Sequence, residues 1–159
     1  MLSVIVPVHR PNLGCLLEAV DSLNSQTFRD FTVYWVYSER HCESSVKLIR
    51  SAGKFNSVFL VAPSKGLPAA LNFGIQAVPS EFIARFDADD VCHPDRFRAQ
   101  IEFLQLNPEI SLCGSNLKII NDKSEVISYR NYPTTNRAIG RAFIWSSPIA
   151  HPAIMVRRD

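Results

Sequence analysis

The chain has 159 residues, with 17 Lys+Arg against 15 Asp+Glu for a formal net charge of +2, and 47% of its residues are hydrophobic. A domain of this length buries roughly 70% of the surface its unfolded chain exposes, which gives one globular core without disulfide or metal staples. Disorder and fibrous repeats are excluded, and with near-balanced charge, no basic run beyond Arg157-Arg158 and no recognition motif, nucleic acid is not an expected partner.

Taken in chain order, Leu2 to Val6 is rich in β-branched residues and stops at Pro7, as expected of a strand buried on both faces. Asn12 caps a helix whose apolar stripe is Leu13, Leu16, Leu17, Val20 and Leu23. Phe31 to Val36 is a second strand, and a helix over Ser45 to Ala52 ends at Gly53. Ser57 to Ala62 is a third strand, Leu67 to Val78 a small-residue helix, and Glu81 to Phe86 a fourth strand. This alternation predicts a parallel sheet wound with right-handed crossovers, whose ligands bind outside the carboxyl ends of the strands.

A helix is expected from Pro94 to Asn107, with Pro94 in its first turn. Beyond it the rhythm changes. Ser111 to Ile120 and Val126 to Tyr129 read as a hairpin around Asn121-Asp122-Lys123, Asn136 to Ile144 as a short helix, and Ala153 to Val156 as a last strand. The fold class is therefore α/β, a mainly parallel sheet followed by a mixed, antiparallel part. The cysteines Cys15, Cys42, Cys92 and Cys113 form no C-x-x-C pair, so four reduced thiols in a cytosolic protein are expected. The first apolar run lacks the flanks of a signal peptide, and no run reaches the ~18 residues of a membrane span.

The sharpest local feature is Arg85-Phe86-Asp87-Ala88-Asp89-Asp90, with three carboxylates at the carboxyl end of the fourth strand. Two carboxylates about 4 Å apart repel by roughly 4 kcal/mol at an effective dielectric near 20, so strong donors or a cation would stabilise them. Oxygen ligands alone select a hard divalent ion, Mg²⁺ or Mn²⁺. The competing reading is that Asp89 and Asp90 cap the following helix.

Several segments together resemble family 2 glycosyltransferases. They are Ser3-Val4-Ile5-Val6-Pro7-Val8-His9, Ser22-Leu23-x-Ser25-Gln26-Thr27-Phe28-x-Asp30-Phe31, Lys65-Gly66-Leu67-x-Ala69-Ala70-Leu71-Asn72-x-Gly74-Ile75, and Phe86-Asp87-Ala88-Asp89-Asp90 followed by His93-Pro94-Asp95-Arg96. The stretch His151 to Arg158 is similar to a later segment of many bacterial members. The resemblance implies a GT-A fold, a Rossmann-like nucleotide-sugar-binding half (1–107) joined to the start of an acceptor half (108–159). It implies inverting, metal-dependent transfer of a sugar from a nucleoside diphosphate donor, UDP-sugar first among them, to a saccharide or lipid-linked acceptor in surface polysaccharide biosynthesis.

By the same resemblance Asp87 of the D-x-D motif contacts the ribose and Asp89 ligates manganese or magnesium, while Asp90 supports the metal shell or caps the helix. Pro7 and His9 border the nucleoside. Lys65 lies near the base or diphosphate, or is a solvated loop residue. Asn72 faces the nucleotide or packs its helix. Where the family's second strand ends in an acidic base-reading sequence, this chain has Tyr37 and Ser38, with Glu39 as a substitute if the loop shifts, so the base stays open. His151 touches the acceptor or satisfies backbone groups beside Pro152. Arg157 and Arg158 hold phosphate or a carboxylate, or form a solvated strand end.

The family's catalytic base is expected beyond Asp159, which reads the chain as a C-terminally truncated enzyme or a non-catalytic nucleotide-sugar-binding remnant or scaffold. A sugar nucleotidyltransferase is a further alternative, although the first-strand loop lacks that class's Gly-rich, basic sequence. The expected location is the cytoplasm, with the inner face of the membrane as an alternative.

Overall fold

The computed structural model describes residues 1–38 and 42–158, so Glu39 and Asp159, both weighed above, lie outside the described residues. The strands are β1 (Leu2–Val8), β2 (Phe31–Tyr37), β3 (Asn56–Val61), β4 (Phe82–Arg85), β5 (Leu112–Cys113), β6 (Leu117–Ile120), β7 (Val126–Arg130) and β8 (Met155–Arg157). The helices are α1 (Leu13–Asn24), α2 (Glu43–Ala52), α3 (Leu67–Ala77), α4 (Arg96–Leu106) and α5 (Asn136–Ala142), and a 3₁₀ turn covers His151–Ala153.

Six strands form one sheet in the order β3-β2-β1-β4-β8-β5, and β6 pairs with β7 separately. Strands β1 to β4 are mutually parallel, while β8 runs antiparallel to both β4 and β5. Successive side chains of a strand point to opposite faces, so β1 feeds two cores. Val4 and Val6 pack with Leu16 and Leu23 of α1, Ile49 of α2 and Phe97 and Leu104 of α4, whereas Ile5 packs with Val36, Ile83 and Ala70 of α3. Because β2 and β4 flank β1, the winding reverses between β1 and β4. Their carboxyl ends are the topological switch point where such sheets bind ligands.

Helix α3 lies close to the sheet because Gly74 has no side chain. A Cβ there would sit 2.9 Å from Ile5 Cγ2 and 3.2 Å from Val36 Cγ2. Gly74→Val is therefore expected to cost about 2 kcal/mol through overpacking, a fall of roughly 4–8 °C in Tm for a chain of this size. Gly140→Ala is the control in thermal denaturation, since a Cβ at Gly140 meets nothing within 4 Å.

The structure corrects the sequence reading at four places. Pro7 continues β1 instead of ending it: Ile5 O accepts from Phe86 N, so Ile5 and Pro7 aim their backbone groups at β4, and that ladder ends at the Ile5–Arg85 pair. No ladder partner needs the N–H that proline lacks. The segment Ser111 to Ile120 splits in two, with Leu112–Cys113 joining β8 and Leu117–Ile120 joining β7. Gly114 marks the break, because a Cβ there would meet Ile149 Cγ2 at 2.9 Å. Helix α4 starts at Arg96 with Asp95 at its N-cap, so Pro94 precedes the first turn and neither Asp89 nor Asp90 caps the helix. The last strand begins at Met155, because His151–Ala153 coil into the 3₁₀ turn.

Candidate active site

At the carboxyl ends of β1 and β2 the chain leaves a cleft of about 320 Å³ lined by Val8, His9, Arg10, Pro11, Tyr37, Ser38 and Cys42. His9 Nδ1 lies 3.0 Å from Ser38 Oγ, a bond that orients the imidazole at the mouth of β1. Tyr37 is buried, with its hydroxyl 2.8 Å from Ser45 Oγ, and Ser45 in turn donates to Cys42 O at 2.8 Å. Burial raises the Tyr37 phenol above its ordinary value, partly offset by the Ser45 bond. Tyr37 thus walls the cleft with its ring while its hydroxyl engages α2. Arg10 holds a left-handed φ of 45°, a conformation that costs a non-glycine residue energy and turns the chain sharply out of β1.

One strand over, the acidic triplet follows β4. Arg85, the last residue of that strand, is buried, and its Nη2 reaches Asp87 Oδ1 at 2.7 Å while its Nε and Nη1 have no partner among the described residues. Asp87 is 28% exposed, Asp89 is exposed in the turn, and Asp90 N donates to Asp87 O at 3.3 Å. Burial pushes the Asp87 carboxyl up; Arg85 opposes this and Asp89 adds to it. Burial, then the charges of Asp87 and Asp89, push Asp90 up to about 6. His151 lies within electrostatic reach: burial and Arg85 lower its pKa, and Asp87 partly restores it. The neutral ring is thereby favoured at neutral pH.

A carboxyl that titrates near 6 when folded and about 4 when unfolded binds more protons in the folded state between those values. Its favourable contribution is present below pH 4 and is lost as pH rises through 6. Under chelator, Asp90→Asn is expected to raise stability at pH 7.5 by about 1–2 kcal/mol, discounted for partial exposure. The gain should shrink as pH falls from 6 towards 4, as read by denaturant melts across that range.

Neighbouring segments hold this turn in place. Ser22 Oγ accepts from Cys92 N at 3.0 Å, Gln26 Nε2 donates to His93 O at 2.8 Å, and Thr27 N donates to Pro94 O at 2.9 Å. The Ser22-to-Phe31 motif therefore clamps the loop after the carboxylates and is not itself part of the cleft. Arg96 closes the other side: Nη2 donates to Arg85 O at 2.7 Å and Ile154 O at 3.3 Å, and Nε donates to Gln100 Oε1 at 3.1 Å. Ser38 stands at the cleft, where the sequence placed it beside Tyr37 at the base-reading position, whereas neither the role of Arg85 nor this bracing role of Arg96 was expected from the sequence. For Arg85 the available signal was a lone cation inside the apolar run Phe82-Ile83-Ala84-Arg85-Phe86.

The remaining candidates are less concentrated. Pro7 is half-buried in β1, Lys65 is exposed in the β3–α3 loop and Asn72 is exposed on α3; none of the three lines the cleft. Arg157 pairs with Glu81 at 3.1 Å and also binds Leu104 O, and Arg158 donates to the carbonyls of Val78 and Ile75. Both arginines fasten the end of β8 to its neighbours. Among the described residues no three His, Cys, Asp or Glu side chains converge to hold a metal ion unaided. The triplet nevertheless suits a hard cation that takes its other ligands from a diphosphate and water: its donors are all oxygen, and the charges of Asp87 and Asp89 add to the burial that lifts Asp90 to about 6.

The wound sheet with its antiparallel β8 and β5 and a carboxylate turn at the switch point is the GT-A glycosyltransferase fold. Solved chains share it: a mannosyltransferase, PcManGT from Pyrobaculum calidifontis, in complex with GDP-Man and Mn²⁺, superposes with TM-score 0.69 at 17% identity over 99% of this chain and 44% of its own. S. aureus TarS 1–349 in complex with UDP gives TM-score 0.70 at 20% identity over 98% of this chain and 46% of its own. The family model of glycosyl transferase family 2 matches residues 3–159, and the chain belongs to that family. An O-antigen biosynthesis glycosyltransferase, WbnJ of Escherichia coli, is 29% identical over the whole chain, and an amylovoran biosynthesis glycosyltransferase, AmsE of Erwinia amylovora, is 28% identical. The chain spans 62% and 60% of these two relatives.

Proposed function

We propose that this chain forms the donor-binding part of an inverting, metal-dependent glycosyltransferase that moves a sugar from a nucleoside diphosphate to an acceptor hydroxyl in surface polysaccharide synthesis. The observation that carries this reading is the adjacency of the His9 cleft and the Asp87–Asp90 turn at the carboxyl ends of neighbouring strands β1 and β4. A nucleoside in the first would extend its diphosphate towards the second. The polysaccharide relatives and the nucleotides named for the solved chains support the same assignment.

In this reading the His9 ring, steadied by Ser38, stacks on the base. Arg85 fixes one oxygen of Asp87 and leaves the other to accept from a ribose hydroxyl. Asp89, exposed in the turn, holds the divalent ion, with Asp90 behind it. Mn²⁺ or Mg²⁺ bound there would neutralise charge that develops on the departing diphosphate. Lys65 reaches towards the diphosphate from the β3–α3 loop, Asn72 orients α3 beside it, and His151 meets the acceptor or donor sugar with a neutral ring. Inversion requires a carboxylate that takes the acceptor's proton; none of the side chains described here is assigned that role.

The test is a thermal-shift panel of UDP, GDP and ADP with Mn²⁺. A diphosphate-dependent rise in Tm with one base supports the reading, and no rise with any nucleotide contradicts it. His9→Ala is expected to weaken the favoured nucleotide roughly 5- to 10-fold, near the lower end of the stacking energy of a base on a ring, with Tm of the free protein unchanged.

A further inference from the structure

The chain after residue 125 is sharply segregated in charge. Residues 126–158 contain five arginines and no Asp or Glu, a charge of +5 in a chain whose net charge is +2. Arg157 and Arg158 are engaged by the fold, as described above. Arg130, Arg137 and Arg141 are exposed and make no ion pair among the described residues.

Arg137 and Arg141 stand one helical turn apart on α5, so they share a face. The helix runs on into a turn, with Phe143 N bonded to Ile139 O, Ile144 N to Arg141 O and Trp145 N to Ala142 O. Ile144 and Trp145 follow Arg141 by three and four residues and continue that ridge. Phe143 is 63% exposed, Ile144 71% and Trp145 88%. Large apolar side chains this exposed beside guanidinium groups, without a carboxylate in the segment, combine two chemistries. The rings and the isoleucine suit the boundary between headgroups and acyl chains, and the arginines suit anionic headgroups.

We propose that the ridge formed by α5 and residues 143–145 docks on an anionic lipid surface. Charge complementarity favours this occupant over a protein partner, because the segment offers cations with no compensating acid. Among the described residues no helix is long and apolar enough to cross a membrane; the contact proposed is a peripheral one. The proposal uses no residue of the cleft or of the acidic turn, so it stands or falls separately from the nucleotide reading.

The test is co-sedimentation of this chain with vesicles of phosphatidylcholine alone and with about 30 mol% phosphatidylglycerol. Binding to the anionic vesicles at least tenfold stronger than to the neutral ones, and weakened by high salt, is expected. Trp145→Ser should lower that binding about tenfold and abolish a lipid-induced blue shift of tryptophan emission, since Trp35 is fully buried. Arg137→Ser with Arg141→Ser should lower it about 25-fold, fivefold for each charge. These side chains are exposed, so Tm and nucleotide binding should stay unchanged in the variants. Equal binding to both vesicle types, no binding to either, or a Trp145→Ser variant that binds as well as the parent overturns the proposal. So does a concentration-dependent blue shift without lipid that Trp145→Ser removes, which would assign the ridge to contact between protein chains.

Discussion

Asp89→Ala is expected to abolish the Mn²⁺-dependent part of the stabilisation that a nucleoside diphosphate gives this chain. At a ligand concentration a hundred times Kd, binding to the folded state adds about 2.7 kcal/mol, a rise of roughly 5–10 °C at this chain length. Asp89 is exposed in its turn and, among the described residues, repels Asp87 and Asp90, so its loss should leave the metal-free Tm unchanged or slightly higher. Asp87→Ala should behave differently. Its carboxylate is the ion-pair partner of the buried Arg85, whose Nε and Nη1 already lack acceptors among the described residues. Removing that carboxylate leaves a buried cation uncompensated and should cost about 3 kcal/mol in the free protein. A nucleotide shift that keeps its full metal dependence in Asp89→Ala would remove the ion from that residue.

The second large effect is expected at Arg96, which braces the backbone behind the carboxylate turn. Its guanidinium bonds the carbonyls of Arg85 and Ile154 and the side chain of Gln100, which joins α4 to the end of β4 and to the segment after the 3₁₀ turn. Arg96→Met takes the donor from Arg85 O and Gln100 Oε1, while Ile154 O keeps Arg85 N, and each unsatisfied buried group costs about 1–3 kcal/mol. A total near 3 kcal/mol would lower Tm by roughly 6–12 °C. Arg96→Lys keeps the charge but loses the planar fork, so it should recover less than half of that. The exposed Arg98–Asp95 pair, 2.7 Å apart, is the comparison: Arg98→Ala should cost under about 1 kcal/mol. Because Arg96 grips the backbone of Arg85, Arg96→Met should also blunt the nucleotide-induced shift.

What could be read from the sequence was what local chemistry encodes. Alternating apolar runs gave the wound sheet, and Asn12 caps α1 through Gly14 N at 2.8 Å as its position implies. The carboxylate triplet falls at the carboxyl end of β4 because it follows the buried run Phe82 to Arg85. Features that depend on distant partners stayed hidden. Pro7 reads as a strand stop until β4 is seen to end beside it. Gln26 stands in the sequence only as one position of the Ser22-to-Phe31 segment, yet it is fully buried and bonded to His93, 67 residues away. Asp90 reads either as support for a metal shell or as a helix cap, and the cap falls away only when α4 is seen to begin at Arg96 with Asp95 at its N-cap. The Arg85–Asp87 pair is local in sequence, but its significance comes from burial, which the tertiary fold supplies.

The central claim is that the β1–β2 cleft and the turn after β4 are one nucleotide site. Hydrogen–deuterium exchange with and without UDP or GDP and Mn²⁺ tests it most directly. Joint protection of residues 8–11, 37–38 and 87–90, with the α5 ridge unaffected, is the expected result. Protection of only one of the two strand ends, or of neither while the nucleotide is bound, would contradict it.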